Sequence, residues 1–129
     1  MRASPTVALP MRAAIVRVEP VHAPAIDYPR EDRLVEGRPR RQTWTASETQ
    51  GVACGIWSCE AGAWKIRFAD NRQEFFCVIS GRVVLTDEAG RAEVFGAGEA
   101  GVIPPGFAGE FRVLEPVSKY FVVADAKSA

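Results

Sequence analysis

Histidine is almost missing from this chain: among its 129 residues only His22 carries an imidazole. A zinc or transition-metal centre built on ring nitrogens would have a single such ligand to draw on. Cysteine is scarce as well. Cys54, Cys59 and Cys77 are odd in number, lack paired spacing and lie far from His22, which argues against a zinc knuckle and against a disulfide framework. They read as small, reduced apolar side chains of a cytoplasmic protein. No apolar run approaches the roughly 18 residues of a spanning helix. The start MRASPTVALP has no sustained apolar core before its prolines, so no secretory leader is expected. Helical periodicity is missing over any ten-residue stretch. Net charge is zero, and residues 42–129 hold eight basic side chains against eleven acids. A mildly acidic surface of that kind is a poor partner for nucleic acid or an anionic membrane.

What the chain does have is divided in two. Six of its nine prolines fall within residues 1–39. Proline removes a backbone donor and restricts the residue before it, so residues 1–41 are expected as an extended arm, across the domain surface or a second subunit. Within it Ala13, Ala14, Ile15, Val16, Arg17 and Val18 predict one short edge strand, ended by Glu19-Pro20. Arg38-Pro39-Arg40-Arg41 is the one basic run, read as solvated or as a contact to a partner subunit. His22 reads as a surface residue.

After Trp44 the texture changes. Ten of eleven glycines follow position 50, and β-branched and aromatic residues recur in short runs. Strands are expected over residues 52–58, 63–69, 74–79, 81–86, 91–95, 110–114 and 118–123, with a further run ending at Ile103. The second alternates: Trp64, Ile66 and Phe68 on one face, Lys65 and Arg67 on the other. Residues 74–79 are apolar on both faces, as in a strand buried between two sheets. Asp87-Glu88-Ala89-Gly90 predicts a hairpin. Short strands with Gly/Pro turns at this spacing imply an all-β fold, a sandwich or small barrel over residues 42–129.

Two spacings narrow the fold. Gly62, five residues, Phe68-Ala69-Asp70, three residues, Glu74, six residues and Gly81 form one skeleton. Gly98, five residues, Pro104-Pro105-Gly106 and, two residues on, Gly109 form a second. Together they resemble the two motifs of the cupins, whose first motif has His-X-His where this chain has Phe68-Ala69-Asp70. Gly55-Ile56-Trp57, Gly62-Ala63-Trp64, Ile103-Pro104-Pro105-Gly106-Phe107 and Lys119-Tyr120 are similar to one subfamily. It comprises small single-domain cupins like the barrel of (S)-ureidoglycine aminohydrolase and the ethanolamine-utilisation cupins. The resemblance covers about residues 42–124 and implies a double-stranded β-helix, a jelly-roll barrel of two facing antiparallel sheets. It also implies a homodimer.

A metal-dependent cupin holds its ion with three histidines and a glutamate. At the positions the resemblance aligns, this chain has Phe68, Asp70, Gly109 and Glu74, so no metal or other cofactor is expected. The same geometry turns Phe68, Asp70, Glu74, Phe76 and Val78 inward, with Phe111 and Val113. Glu74 then stands at the mouth of a barrel lined by Trp64, Phe68, Phe76 and Phe111, with Arg67, Arg72 and Lys119 as candidate cations, though parity sends Arg67 outward. Glu74 and Asp70 are the candidate acid/base pair. Trp64, Phe68, Phe76, Phe111, Arg72, Lys119 and Tyr120 are the candidate binding residues for a small polar molecule. Structural roles stay open for both acids: Glu74 at a strand end, and Asp70 in a turn of the kind aspartate stabilises through local backbone bonds. The resemblance to ureidoglycine-type cupins implies a second function, an enzyme of nitrogen or small-amine metabolism.

Overall fold

The computed structural model describes residues 13–127. Within them lie β1 (Ala25–Asp27), a single 3-10 turn (Glu31–Arg33), β2 (Leu34–Glu36), β3 (Arg41–Thr49), β4 (Val52–Cys59) and β5 (Gly62–Arg67). β6 (Arg72–Asp87), β7 (Ala92–Gly96), β8 (Ala100–Ile103) and β9 (Ala108–Asp125) complete the chain. The fold is an all-β jelly-roll barrel.

Two long strands build it. β6 and β9 run antiparallel from Arg72↔Asp125 to Asp87↔Gly109. The second half of β9 pairs with β4, extending through β3 to β1, while the first half of β6 pairs with β8. The first half of β9 pairs with β5 and through it β2, while the second half of β6 pairs with β7. Each long strand therefore belongs to both facing sheets and bends where it passes between them.

That bend explains a difference from the sequence reading. Residues 74–79 and 81–86 form one strand, and residues 110–114 and 118–123 form another. Gly81 and Pro116 lie at the gaps between the expected pairs and form the corner. Register shifts run from Val78 to Val83 on β6 opposite Val113 to Lys119 of β9. Gly81 takes φ +87°, open to a residue without Cβ. Pro116 lies in the unpaired part of the corner, where its missing N–H costs no ladder bond.

The core lies between the sheets. Phe76, Val78, Val83, Leu85, Phe111 and Val113 point into it from β6 and β9. The expectation that residues 74–79 are covered on both faces does not hold, since Phe75 is 48% exposed on the outer side. The hairpin at Asp87 forms, with its carboxylate accepting from the N–H groups of Ala89 and Arg91 at 3.0 and 2.9 Å.

The N-terminal segment differs most. The edge strand expected over residues 13–18 does not form; Ile15 is fully exposed, and this apolar run has no core to bury against. β1 and β2 instead pair with the edges of β3 and β5, one in each sheet. β3, begun by Arg41, was not anticipated as a strand. The reading of residues 1–12 as carrying no leader lies outside the described residues.

Candidate functional site

Period-two alternation on β4, β5, β6 and β9 sends Trp57, Trp64, Glu74, Phe111 and Lys119 to one side, into a cavity of about 300 Å3 between the sheets. The rings pack as a cluster. Trp64 stacks on Phe111 with centroids 5.1 Å apart, and Trp57 meets Phe111 edge-on at 5.6 Å.

Lys119 is the centre of the site. It is 4% exposed, and its Nζ donates to Glu74 Oε2 at 2.7 Å. The same ammonium lies 4.7, 4.8 and 5.0 Å from the ring centroids of Trp57, Phe76 and Phe111. Ring faces carry negative charge, so three rings and one carboxylate together replace much of the hydration that burial removes. Cys59 lies in the same apolar core. Burial there pushes its thiol from 9.0 up to about 12.

Two ion pairs border the cavity. Arg41 donates to both carboxylate oxygens of Asp27 at 2.9 and 2.7 Å and to the Tyr28 carbonyl at 3.2 Å, with its guanidinium 5.4 Å from the Trp64 ring. Arg72 donates to Asp125 at 2.8 and 3.1 Å. These hydrogen bonds hold the Asp125 carboxyl below the usual carboxylate range and raise Arg72 above its own.

The loops of the two spaced motifs dock at this end. Phe68 N–H donates to the Phe107 carbonyl at 2.8 Å, and Gly106 N–H to the Ala69 carbonyl at 3.0 Å. The structure therefore brings Trp64, Phe68, Arg72, Glu74, Phe111 and Lys119 to one cavity. Phe76 lies beneath the Lys119 ammonium, 1% exposed. Two anticipated positions differ. Asp70 is exposed in the turn before β6, near Gly106, and does not line the cavity. Tyr120 follows Lys119 on a strand, so alternation turns it to the outer face, where it is 45% exposed. Arg67 is likewise exposed, as its parity implied.

The sequence reading missed Arg41, Asp27, Thr43 and Trp57 at the cavity. Arg41 and Thr43 alternate into β3, a signal hidden because Arg38–Arg41 looked like a solvated basic run. Trp57 alternates with Cys59 on β4 and packs against the core cluster.

The residues at the aligned ligand positions do not fit a divalent metal. Phe68 offers no donor atom, Asp70 stands outside the cavity, and Glu74 is already bonded to an ammonium. At Gly109 a Cβ would lie 2.1 Å from the Thr86 carbonyl oxygen, so a histidine has no room there. Among the described residues, no three His, Cys, Asp or Glu side chains converge on a point suited to a metal.

Two facing antiparallel sheets, with both motif loops docked at one mouth of a cavity, define a cupin barrel. The model of the EutQ-like cupin domain family matches residues 40–121, and the chain belongs to that family. Among solved structures, a DUF861-family protein of unknown function from Pseudomonas syringae superposes with a TM-score of 0.70 at 19% identity. The match covers 86% of this chain and 45% of that one, so this chain spans less than half of its length. The EutQ protein of Clostridium difficile superposes with a TM-score of 0.62 at 22% identity, over 75% of this chain and 79% of that one. At such identities the likeness shows the fold. No curated protein sequence matches the chain. Among the described residues, no helix is long and apolar enough to cross a membrane.

Proposed function

We propose that this cupin binds a small polar metabolite in its barrel without a divalent metal. The observation that carries the reading is the Lys119 ammonium, fixed by Glu74 and three aromatic rings at an open cavity. Glu74, the one carboxylate of the aligned positions that lines the cavity, is engaged by this protein-borne cation. At about 300 Å3 the cavity is at the small end of ligand pockets, which suits a metabolite over a polymer. Arg41, Arg72 and Lys119 face only Asp27 and Glu74 among the charged lining residues. Even with Arg41 and Arg72 held in ion pairs, that balance favours a ligand bearing a carboxylate or another compact anion, while the Trp64 and Phe111 faces suit a flat body.

Thermal-shift screening of small carboxylates, amides and ureido compounds tests this reading. A ligand at a hundred times its Kd adds about 2.7 kcal/mol of stability and raises Tm measurably. The shift is expected in the native chain and is lost in Arg41→Gln. Absence of any shift across such a panel, confirmed by calorimetry, counts against the proposal.

The Glu74–Lys119 contact also favours a second reading, an enzyme of nitrogen or small-amine metabolism with Glu74 as acid/base. A carboxylate and an amine 2.7 Å apart can pass one proton between them and a bound substrate. Turnover of an amino or ureido substrate that persists unchanged in Glu74→Gln would remove Glu74 from that role.

A further inference from the structure

Among the residues that line the cavity, Lys119 alone carries an amine. A buried ion pair stabilises a fold little better than apolar side chains of the same volume, so stability does not account for this one. The ammonium has three N–H bonds to place. One donates to Glu74 Oε2 at 2.7 Å, and among the described residues no protein atom accepts a hydrogen bond from the other two. Bulk solvent reaches little of the side chain, which is 5% exposed. A buried nitrogen with unfilled valences therefore faces a cavity sized for a metabolite.

We propose that Lys119 captures a small carbonyl acid, an α-keto acid or an aldehyde bearing a carboxylate, as a protonated imine on Nζ. This rests on the reading of the cavity as a site for a small anionic metabolite. The ammonium first passes one proton to the Glu74 carboxylate, across the 2.7 Å contact. The freed lone pair bonds to the carbonyl carbon while the C=O π pair moves onto oxygen. A proton then shifts from nitrogen to that oxygen, giving a carbinolamine. Glu74 returns its proton to the new hydroxyl, the C–O bond breaks, water leaves, and the nitrogen lone pair closes the C=N bond. The sum is one ammonium and one carbonyl giving one protonated imine and one water. Glu74 ends as it began, and no oxidant or reductant is consumed.

The site suits the product as well as the reactant. A protonated imine keeps its positive charge at Nζ, where Glu74 and the rings of Trp57, Phe76 and Phe111 already surround a cation. Those groups need no rearrangement to hold the new charge. The ligand's carboxylate has Arg41 and Arg72 on the same cavity wall. An imine conjugated to a carboxylate is flat, and Trp64 and Phe111, inclined by 27°, offer a flat wall. The chain's other two lysines, Lys65 and Lys127, are exposed and line no part of this cavity.

Reductive trapping of the full chain tests it, with pyruvate as the ketone probe, succinate semialdehyde as the aldehyde probe, and cyanoborohydride to fix any imine. Each trapped site gains the mass of one probe molecule less one oxygen atom, and peptide mapping assigns it to Lys65, Lys119 or Lys127. With at least one probe, Lys119 is expected to be modified ahead of the two exposed lysines, at a rate that saturates with probe concentration. Glu74→Gln is expected to slow trapping at Lys119 by about a hundredfold and to leave Lys65 and Lys127 unchanged. Should that variant fail to fold, the order of modification and the saturation in the native chain decide. Lys65 and Lys127 modified with Lys119 untouched by both probes overturns the inference, as does one unsaturating rate at all three. Lactate, with a carboxylate and no carbonyl carbon to attack, separates this outcome from the underlying reading. A rise in Tm with lactate or another carboxylate, without trapping at Lys119, overturns the capture and leaves anion binding in the cavity standing.

Discussion

Gly81 of β6 and Pro116 of β9 face each other so closely that a Cβ on Gly81 would lie 2.1 Å from the Pro116 carbonyl oxygen. The two residues form the corner at which both long strands leave one sheet for the other. Gly81→Ala meets two obstacles there, a φ of +87° and a backbone atom that has no space to yield. The expected cost is about 3 kcal/mol or more, read as a lower midpoint in urea denaturation. Gly90→Ala is the control. It shares a φ of +86° but has no atom within 4 Å of the added carbon, so its cost is expected to stay near 1 kcal/mol.

The Lys119–Glu74 pair is buried on both sides, with side-chain exposures of 5% and 12%. Lys119→Met strands a carboxylate, and Glu74→Leu strands an ammonium among three rings. Each single change is expected to cost about 3 kcal/mol or more. The double variant is expected to lose less than the sum of the two, because it leaves no charge unpaired. A double-mutant cycle in urea checks this; strict additivity would show that the pair is not coupled.

Cys59 is protonated in the folded barrel up to about pH 12, against 9.0 for an ordinary thiol. Its folded-state pKa is raised, so its contribution is complete below pH 9 and is lost as pH climbs from 9.0 toward 12. Stability is expected to decline over that window, and less so in Cys59→Ala after correction for the smaller side chain. At pH 8 iodoacetamide is expected to modify Cys54 and Cys77 well before Cys59, which peptide mass mapping resolves.

Asp125 has the opposite sign. Arg72 lowers its folded pKa, so the stabilisation is present above the ordinary carboxylate range and is lost as pH falls through and below it. Both side chains are substantially exposed, 46% and 42%, so salt is expected to weaken the effect. Comparing acid denaturation of the native chain with Asp125→Asn, at low and high ionic strength, checks both parts.

Gly109→His would put an imidazole back at an aligned metal-ligand position. The Thr86 carbonyl lies where its Cβ must go, so the expected result is a destabilised barrel without gain of stoichiometric divalent metal. Metal analysis of the refolded variant, with its denaturation midpoint, distinguishes the two effects.

The barrel was readable because glycine and proline marked its motif loops and because alternation marked β5. The corner was not, since Gly81 and Pro116 carry the signature of a break and only their pairing across two strands makes them a bend. In the site, Glu74, Trp64 and Phe111 follow from alternation on their own strands. Asp70 was misplaced because a spacing borrowed from His-X-His sets position along the chain, and the turn at Asp70-Asn71 decides where its carboxylate points. Arg41 was overlooked because its partner Asp27 lies on a three-residue strand with no pattern of its own.

β9 is the last strand of the barrel in chain order, yet it is bonded to β4, β5 and β6. During synthesis the earlier strands must therefore emerge from the ribosome without the strand that joins them, their inner faces still wet. Nothing in this barrel can close domain-first from its N-terminus. Closure of the sheets therefore waits for β9, and truncation within it is expected to take strand partners from β4, β5 and β6 at once.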